Sequence, residues 1–234
     1  MEDKTLLITI KPQHLCNILN GIKTIEIRKN KNLANAVKKI MAENGECRIK
    51  CVCSKSNEFD LNNDNKKWFC LNKKSYFYSP ENLNADYYNG KVVCEIVVDS
   101  VDDIVMGFCP RTRNMPIEDQ EDELQTIDFE EKELCKKACL TKDELHDYFN
   151  SVFEKSNNWW NEIFGYALHI KSVIPYEKPK ELKEFYKAGY HDALHESWNE
   201  IESSKYFGKE LIENIRSDYR MTTAPQNFCY VEEE

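Results

Sequence analysis

The run Lys23-Thr24-Ile25-Glu26-Ile27-Arg28-Lys29 carries side chains suited to chemistry, and its strict alternation sets Ile25 and Ile27 on one face of a strand with Thr24, Glu26 and Arg28 on the other. A hydroxyl, a carboxylate and a guanidinium then stand in one row, about 7 Å between successive members. Amide hydrolysis needs a proton acceptor, a group that holds the developing oxyanion and a group that orients the substrate. Here Glu26, or Glu95 from the strand 92–98, takes the proton, Lys23 or Arg28 holds the oxyanion, and Thr24 orients the substrate. The same groups support two other arrangements. Arg28 paired with Glu26 or Glu95 makes a structural ion pair. Alternatively, Lys11, Lys23, Arg28 and Lys29 contact phosphate while an aromatic such as Tyr166, Trp159 or Tyr230 stacks a base. The pair Trp159-Trp160 also reads as core packing.

Metal chemistry has a weaker footing. Cys135-x3-Cys139 and His191-x3-His195 are i,i+4 pairs on two expected helices, and together they offer four soft ligands to one ion. The simpler reading has no metal and no cofactor, because pairs at this spacing arise often by chance. The chain contains 10 Cys in 234 residues and no export signal, so they are expected as reduced thiols. Cys47, Cys51, Cys53 and Cys94 fall at alternating strand positions, where small buried hydrophobes belong.

The formal net charge of −9 argues against non-specific nucleic-acid binding by the whole chain, yet the charge is split. Residues 1–55 carry +6, whereas residues 101–165 carry −9. The N-terminal quarter can therefore face phosphate, and the acidic segment can dock a basic protein partner. No apolar run approaches the roughly 20 residues that cross a bilayer, and the first residues lack a basic, then apolar leader. A cytoplasmic protein without a membrane segment is expected.

These groups must be held by elements that the periodicity outlines. Strands are expected at 6–10, 23–29, 46–54, 92–98 and 166–170, residues 224–231 read as a turn and then a strand, and helices are expected at 14–19 and 32–44, the latter closed by Gly45. Glu95 is the one charge inside the most apolar strand, so it is either buried and paired or aimed into a cleft. Further helices are expected at 179–186 and 190–215. Residues 102–164 read as an acidic helical insertion, with Thr141-Lys142-Asp143-Glu144 as a capping box and the charged stretch 118–133 poor in apolar residues. The stretch 55–89 resists assignment. Neither GxGxxG nor GxxxxGK[ST] occurs, which sets aside nucleotide hydrolysis by those routes. Short strands with few crossover helices suit an α+β fold built on a small mixed β-barrel flanked by short helices.

The run Ile8-Thr9-Ile10-Lys11-Pro12, the helix ending in Asn20-Gly21 and the segment Lys23 to Lys29 resemble the opening of ASCH domains, which belong to the PUA-like superfamily. Further matches are Gly90-Lys91-Val92-Val93-Cys94-Glu95, Gly165-Tyr166-Ala167-Leu168-His169-Ile170 with Lys178-Pro179-Lys180-Glu181-Leu182, and Ala224 to Val231. The last two resemble phage and mobile-element variants. The resemblance implies a PUA-like barrel domain over 1–101 and 165–234, outside which the insertion 102–164 lies, and a cleft that binds RNA or a nucleoside. It also implies, as an alternative, the amidohydrolase activity of a bacterial branch that converts N4-acetylcytidine to cytidine with a lysine, a threonine and a later glutamate. Lys23 matches that lysine. The chain departs from the branch at the threonine, whose position holds Glu26.

Overall fold

Alternating and continuous apolar runs form the strands, and the helices between them bury one face each. The computed structural model describes residues 5–54, 90–110, 122–126, 130–153, 163–203 and 207–233. These fall into two compact units, one of residues 1–20, 48–96 and 173–234, the other of residues 21–47 and 97–172.

In the first unit, β1 (Thr5–Ile10) pairs parallel with β3 (Cys47–Cys53), from Leu6 opposite Ile49 to Ile10 opposite Cys53. Its other edge pairs antiparallel with β8 (Phe228–Glu233), which in turn pairs with β7 (Phe185–Lys187). Helix α1 (Pro12–Leu19) begins at a proline, whose missing N–H is no loss in a first turn. Leu7, Val52, Val92, Phe185 and Val231 form one core. A second gathers Tyr186, Tyr190 and Ile215, with the two tyrosine rings stacked at 3.9 Å.

In the second unit, β2 (Ile25–Arg28) pairs antiparallel with β6 (Ile163–Lys180), Ile25 opposite His169 and Arg28 opposite Tyr166. Helix α2 (Lys31–Asn44) is capped by the Asn30 side chain, which accepts from the N–H groups of Asn32 and Leu33, and ends at Gly45 with φ +81°. Strands β4 (Val92–Pro110) and β5 (Asp122–Thr126) are antiparallel, and α3 (Glu131–Ala138) leads to α4 (Lys142–Phe153). Ile25 and Ile27 pack with Ile104, Met106, Leu134, Leu145 and Phe149. The capping box forms as the sequence predicts: the Thr141 N–H donates to Glu144 at 2.8 Å, and the Glu144 N–H to the Thr141 hydroxyl at 3.1 Å.

The described strands hydrogen-bond in the order β2-β6-β4-β3-β1-β8-β7, with β5 on β4, so the fold is mixed α+β. This order has two ends, and the closed barrel expected from the sequence is not formed among the described pairings. Residues 102–110 also differ from expectation: they prolong β4 rather than open a helical insertion, because Ile104 and Met106 alternate into the core behind the exposed Asp102 and Asp103. The helix expected at 179–186 shrinks to a single 3-10 turn at Leu182–Glu184, since Phe185 and Tyr186 join the ladder opposite Glu233 and Glu232. The helix expected at 190–215 is divided into α5 (Tyr190–Glu196), α6 (Trp198–Ser203) and α7 (Phe207–Tyr219). Trp159, Trp160 and the stretch 55–89 lie outside the described residues. No helix among the described residues is long and apolar enough to cross a membrane.

Candidate functional site

Strand β2 positions the row, and α3 and α4 close over its apolar side. Glu26 and Arg28 share a face as the alternation requires, and the Arg28 guanidinium Nε lies 2.9 Å from Glu26 Oε1. Lys23 enters from two residues before the strand, its ammonium 3.3 Å from Glu26 Oε2. That ammonium also donates to the carbonyl of Ala138 at 2.8 Å. Ala138 is the last residue of α3, where the carbonyls of the final turn are unshared and the helix dipole is negative. Lys23 is 3% exposed and Glu26 6%, so the carboxylate spans two cations inside the protein. The structure therefore places the Lys23 ammonium inside the protein, between Glu26 and the Ala138 carbonyl.

Two further bonds tie the same segment to the helices. The Thr24 N–H donates to the carbonyl of Lys137 at 2.9 Å, while the Thr24 carbonyl accepts from Ile170 N–H at 2.9 Å, leaving the threonine side chain exposed. At the other end of β2, the Lys29 ammonium donates to the carbonyl of Tyr148 at 2.6 Å and stands 4.2 Å from the centre of its ring. Tyr148 is a partner of this segment that sequence reasoning did not identify. Burial pushes its phenol pKa up, a shift that Arg28 opposes and Glu26 reinforces.

The remaining candidates divide between the units. Glu95 lies in the first, buried and paired: Lys50 approaches it at 3.2 Å and Arg48 at 3.4 Å, and Lys50 also donates to the Tyr176 hydroxyl at 3.3 Å. Lys11 is exposed in the same unit and Tyr230 is half-buried there, its ring edge-on to Phe228 at 6.2 Å. Tyr166 belongs to the second unit and is 7% exposed, with Lys38 at 5.8 Å from its ring, so it packs instead of offering an open stacking face. Its hydroxyl pKa is raised by burial and by Asp103. His169 on β6 meets Asp102 at 2.8 Å.

Cys135 and Cys139 fall in the second unit, whereas His191 and His195 fall in the first. Among the described residues no group of three or more metal-binding side chains could hold an ion. Cys135 packs in the core, and Cys139 ends α3 with a left-handed φ of +54°. Its thiol is pushed up by burial and drawn down by Lys23. Cys47, Cys51, Cys53 and Cys94 are buried free thiols, as their alternating positions predict.

One feature of the sequence went unread. Between Glu26 and Glu43 stand Arg28, Lys29, Lys31, Lys38 and Lys39 with no intervening carboxylate. The structure places them along the end of β2 and along α2, whose first turn carries no acid. Lys31 and Lys39 are exposed, Arg28 and Lys29 partly so, and Lys38 pairs with Asp103 at 2.8 Å.

No protein-family model matches the chain, and no curated protein matches it. Among solved structures it is similar to the N-terminal domain of Staphylothermus marinus McrB at 11% identity and a TM-score of 0.37, over 92% of this chain and 95% of that one. It is similar to a mutant ASCH protein from Zymomonas mobilis at 12% identity and a TM-score of 0.43, over 99% of this chain and 90% of that one. The unmutated ASCH protein from Zymomonas mobilis gives 12% identity and 0.41, over 98% and 88%. No activity passes from these likenesses to this protein.

Proposed function

We propose that the protein binds nucleic acid, with RNA the form to which the ASCH resemblance points, through the cationic segment from Arg28 to Lys39. The observation that carries this reading is the run of basic residues along the end of β2 and α2, with no acidic residue among positions 28–39 and with Lys31 and Lys39 open to solvent while Lys38 pairs with Asp103. Lysines in this setting contact phosphate and release its counterions, so affinity must fall with salt. The test is binding of short RNA and DNA at two salt concentrations by wild-type protein and Lys31→Ala/Lys39→Ala. The expected result is weaker binding and a slope of log affinity against log salt reduced by about 0.7 per lost contact on a single strand. Salt-independent binding, or an unchanged slope in the double variant, overturns the interface.

Cleavage of an N-acylated nucleoside is the second reading, and it draws on Lys23 and Glu26 lying 3.3 Å apart. Their other contacts, to Ala138 and Arg28, occupy the atoms that a substrate would need, which favours binding over hydrolysis. Steady release of acetate from N4-acetylcytidine, lost in Glu26→Gln, would reverse this order. Docking of a basic protein partner rests on the −9 charge of residues 101–165 alone. Loss of partner capture on deletion of residues 117–133 is its test.

A further inference from the structure

We infer that Phe164 is a base-stacking platform beside the cationic segment, which makes the ligand a single-stranded nucleic acid. This rests on the nucleic-acid reading above and deepens it. Phe164 is 52% exposed, and it is the large exposed hydrophobic side chain that the described residues of the second unit present. It stands on β6, where Ile163 and Ala167 face the core, so Phe164 shares the opposite face with Tyr166. Tyr166 is in turn the register partner of Arg28. Two residues along β6 from that pair, Phe164 therefore lies beyond the end of β2, where the chain runs on through Lys29, Asn30 and Lys31.

Gly165 holds this placement. A Cβ there would collide with the Phe149 ring and come within 3.6 Å of the Arg28 carbonyl, so β6 lies close against the end of β2 with the Phe149 ring on its core side. The phenyl ring is thus held on an ordered strand, not a mobile loop, and little conformational entropy is lost when a base settles on it. Every base offers a π-face, and the combination of a backbone-tracking positive surface with an exposed aromatic is the arrangement that binds unpaired strands. A duplex keeps its bases stacked inside and gives Phe164 nothing to cover.

Anisotropy titrations of labelled oligouridine and oligothymidine of about twelve nucleotides, within the usual site size, and of a duplex of matching length test this. Phe164→Ala and Phe164→Leu are expected to weaken single-strand binding by about 5- to 100-fold with the salt slope unchanged, and Phe164→Trp to retain it. The leucine variant keeps apolar area but lacks a π-face, so it separates stacking from simple burial. Either sugar bound in this manner supports the inference, and the preferred one names the ligand. Wild-type affinity in Phe164→Ala or Phe164→Leu overturns the stacking role, while the loss seen in Lys31→Ala/Lys39→Ala would leave the nucleic-acid reading standing. Equal affinity for the duplex overturns the single-strand assignment. Absence of binding by wild-type protein to all three probes at low salt overturns both readings.

Discussion

Lys23, Glu26 and Arg28 show how a residue with chemical promise can be spent on structure. Sequence alternation is enough to put Glu26 and Arg28 on one face, and it leaves open whether they pair or wait for a ligand. The choice is made by Ala138, whose carbonyl 115 positions along the chain takes the Lys23 ammonium. With Lys23 turned inward, Glu26 sits between two cations. Removing the carboxylate strands both, so Glu26→Leu is expected to lower stability by about 3–5 kcal/mol, the range for breaking a buried pair. Urea unfolding checks this, and a midpoint equal to wild type would show that the cations find other partners. Glu26→Leu combined with Lys23→Met removes the mutual charge and is expected to recover part of the loss.

At the scale of elements, β6 and the helices α3 and α4 depend on close approaches that no propensity scale records. The glycine at 165 is one: a side chain there collides with the Phe149 ring. Gly165→Ala is expected to destabilise the protein by about 1–3 kcal/mol through overpacking, and Phe149→Leu in the same background to recover part of it. Thermal unfolding of the two variants measures both effects. The capping box of α4 was legible from four residues because both of its bonds are local. Thr141→Ala is expected to lower stability by about 1 kcal/mol, read from the shift of the urea midpoint. By contrast, the continuation of β4 to Pro110 was hidden, since Asp102 and Asp103 mask an alternation whose buried members, Ile104 and Met106, matter only once α3 and α4 cover them.

For the molecule as a whole, the thiols couple folding to pH. Burial raises Cys16 and Cys229 from 9.0 to about 11, and raises Cys53 to about 12, helped there by the nearby Cys94. The folded chain therefore keeps protons that the unfolded chain gives up once pH passes about 9, so stability is full below that pH and declines as pH rises toward 11 to 12. Urea midpoints across pH 8 to 11, roughly the span these shifts define, are expected to fall at the alkaline end. The same burial is expected to protect these thiols from iodoacetamide in the native state near pH 8, roughly where a free thiol would react, and to release them on unfolding. Rapid native alkylation at the buried Cys16 and Cys53, resolved by mass spectrometry, would contradict their placement, whereas the half-buried Cys229 is expected to react sooner.

The sequence by itself determined the early strands and helices, the buried thiols, the capping box and the split of charge, because each depends on residues within a few positions of one another. It also held the basic run from Arg28 to Lys39, unread until α2 displayed it. Only the tertiary structure decided which cations face solvent and which aromatic is open. Lys23 and Tyr166 lie inside and Lys31 and Phe164 outside because burial depends on what packs across a strand from distant parts of the chain. Periodicity names a residue's face but not what covers it.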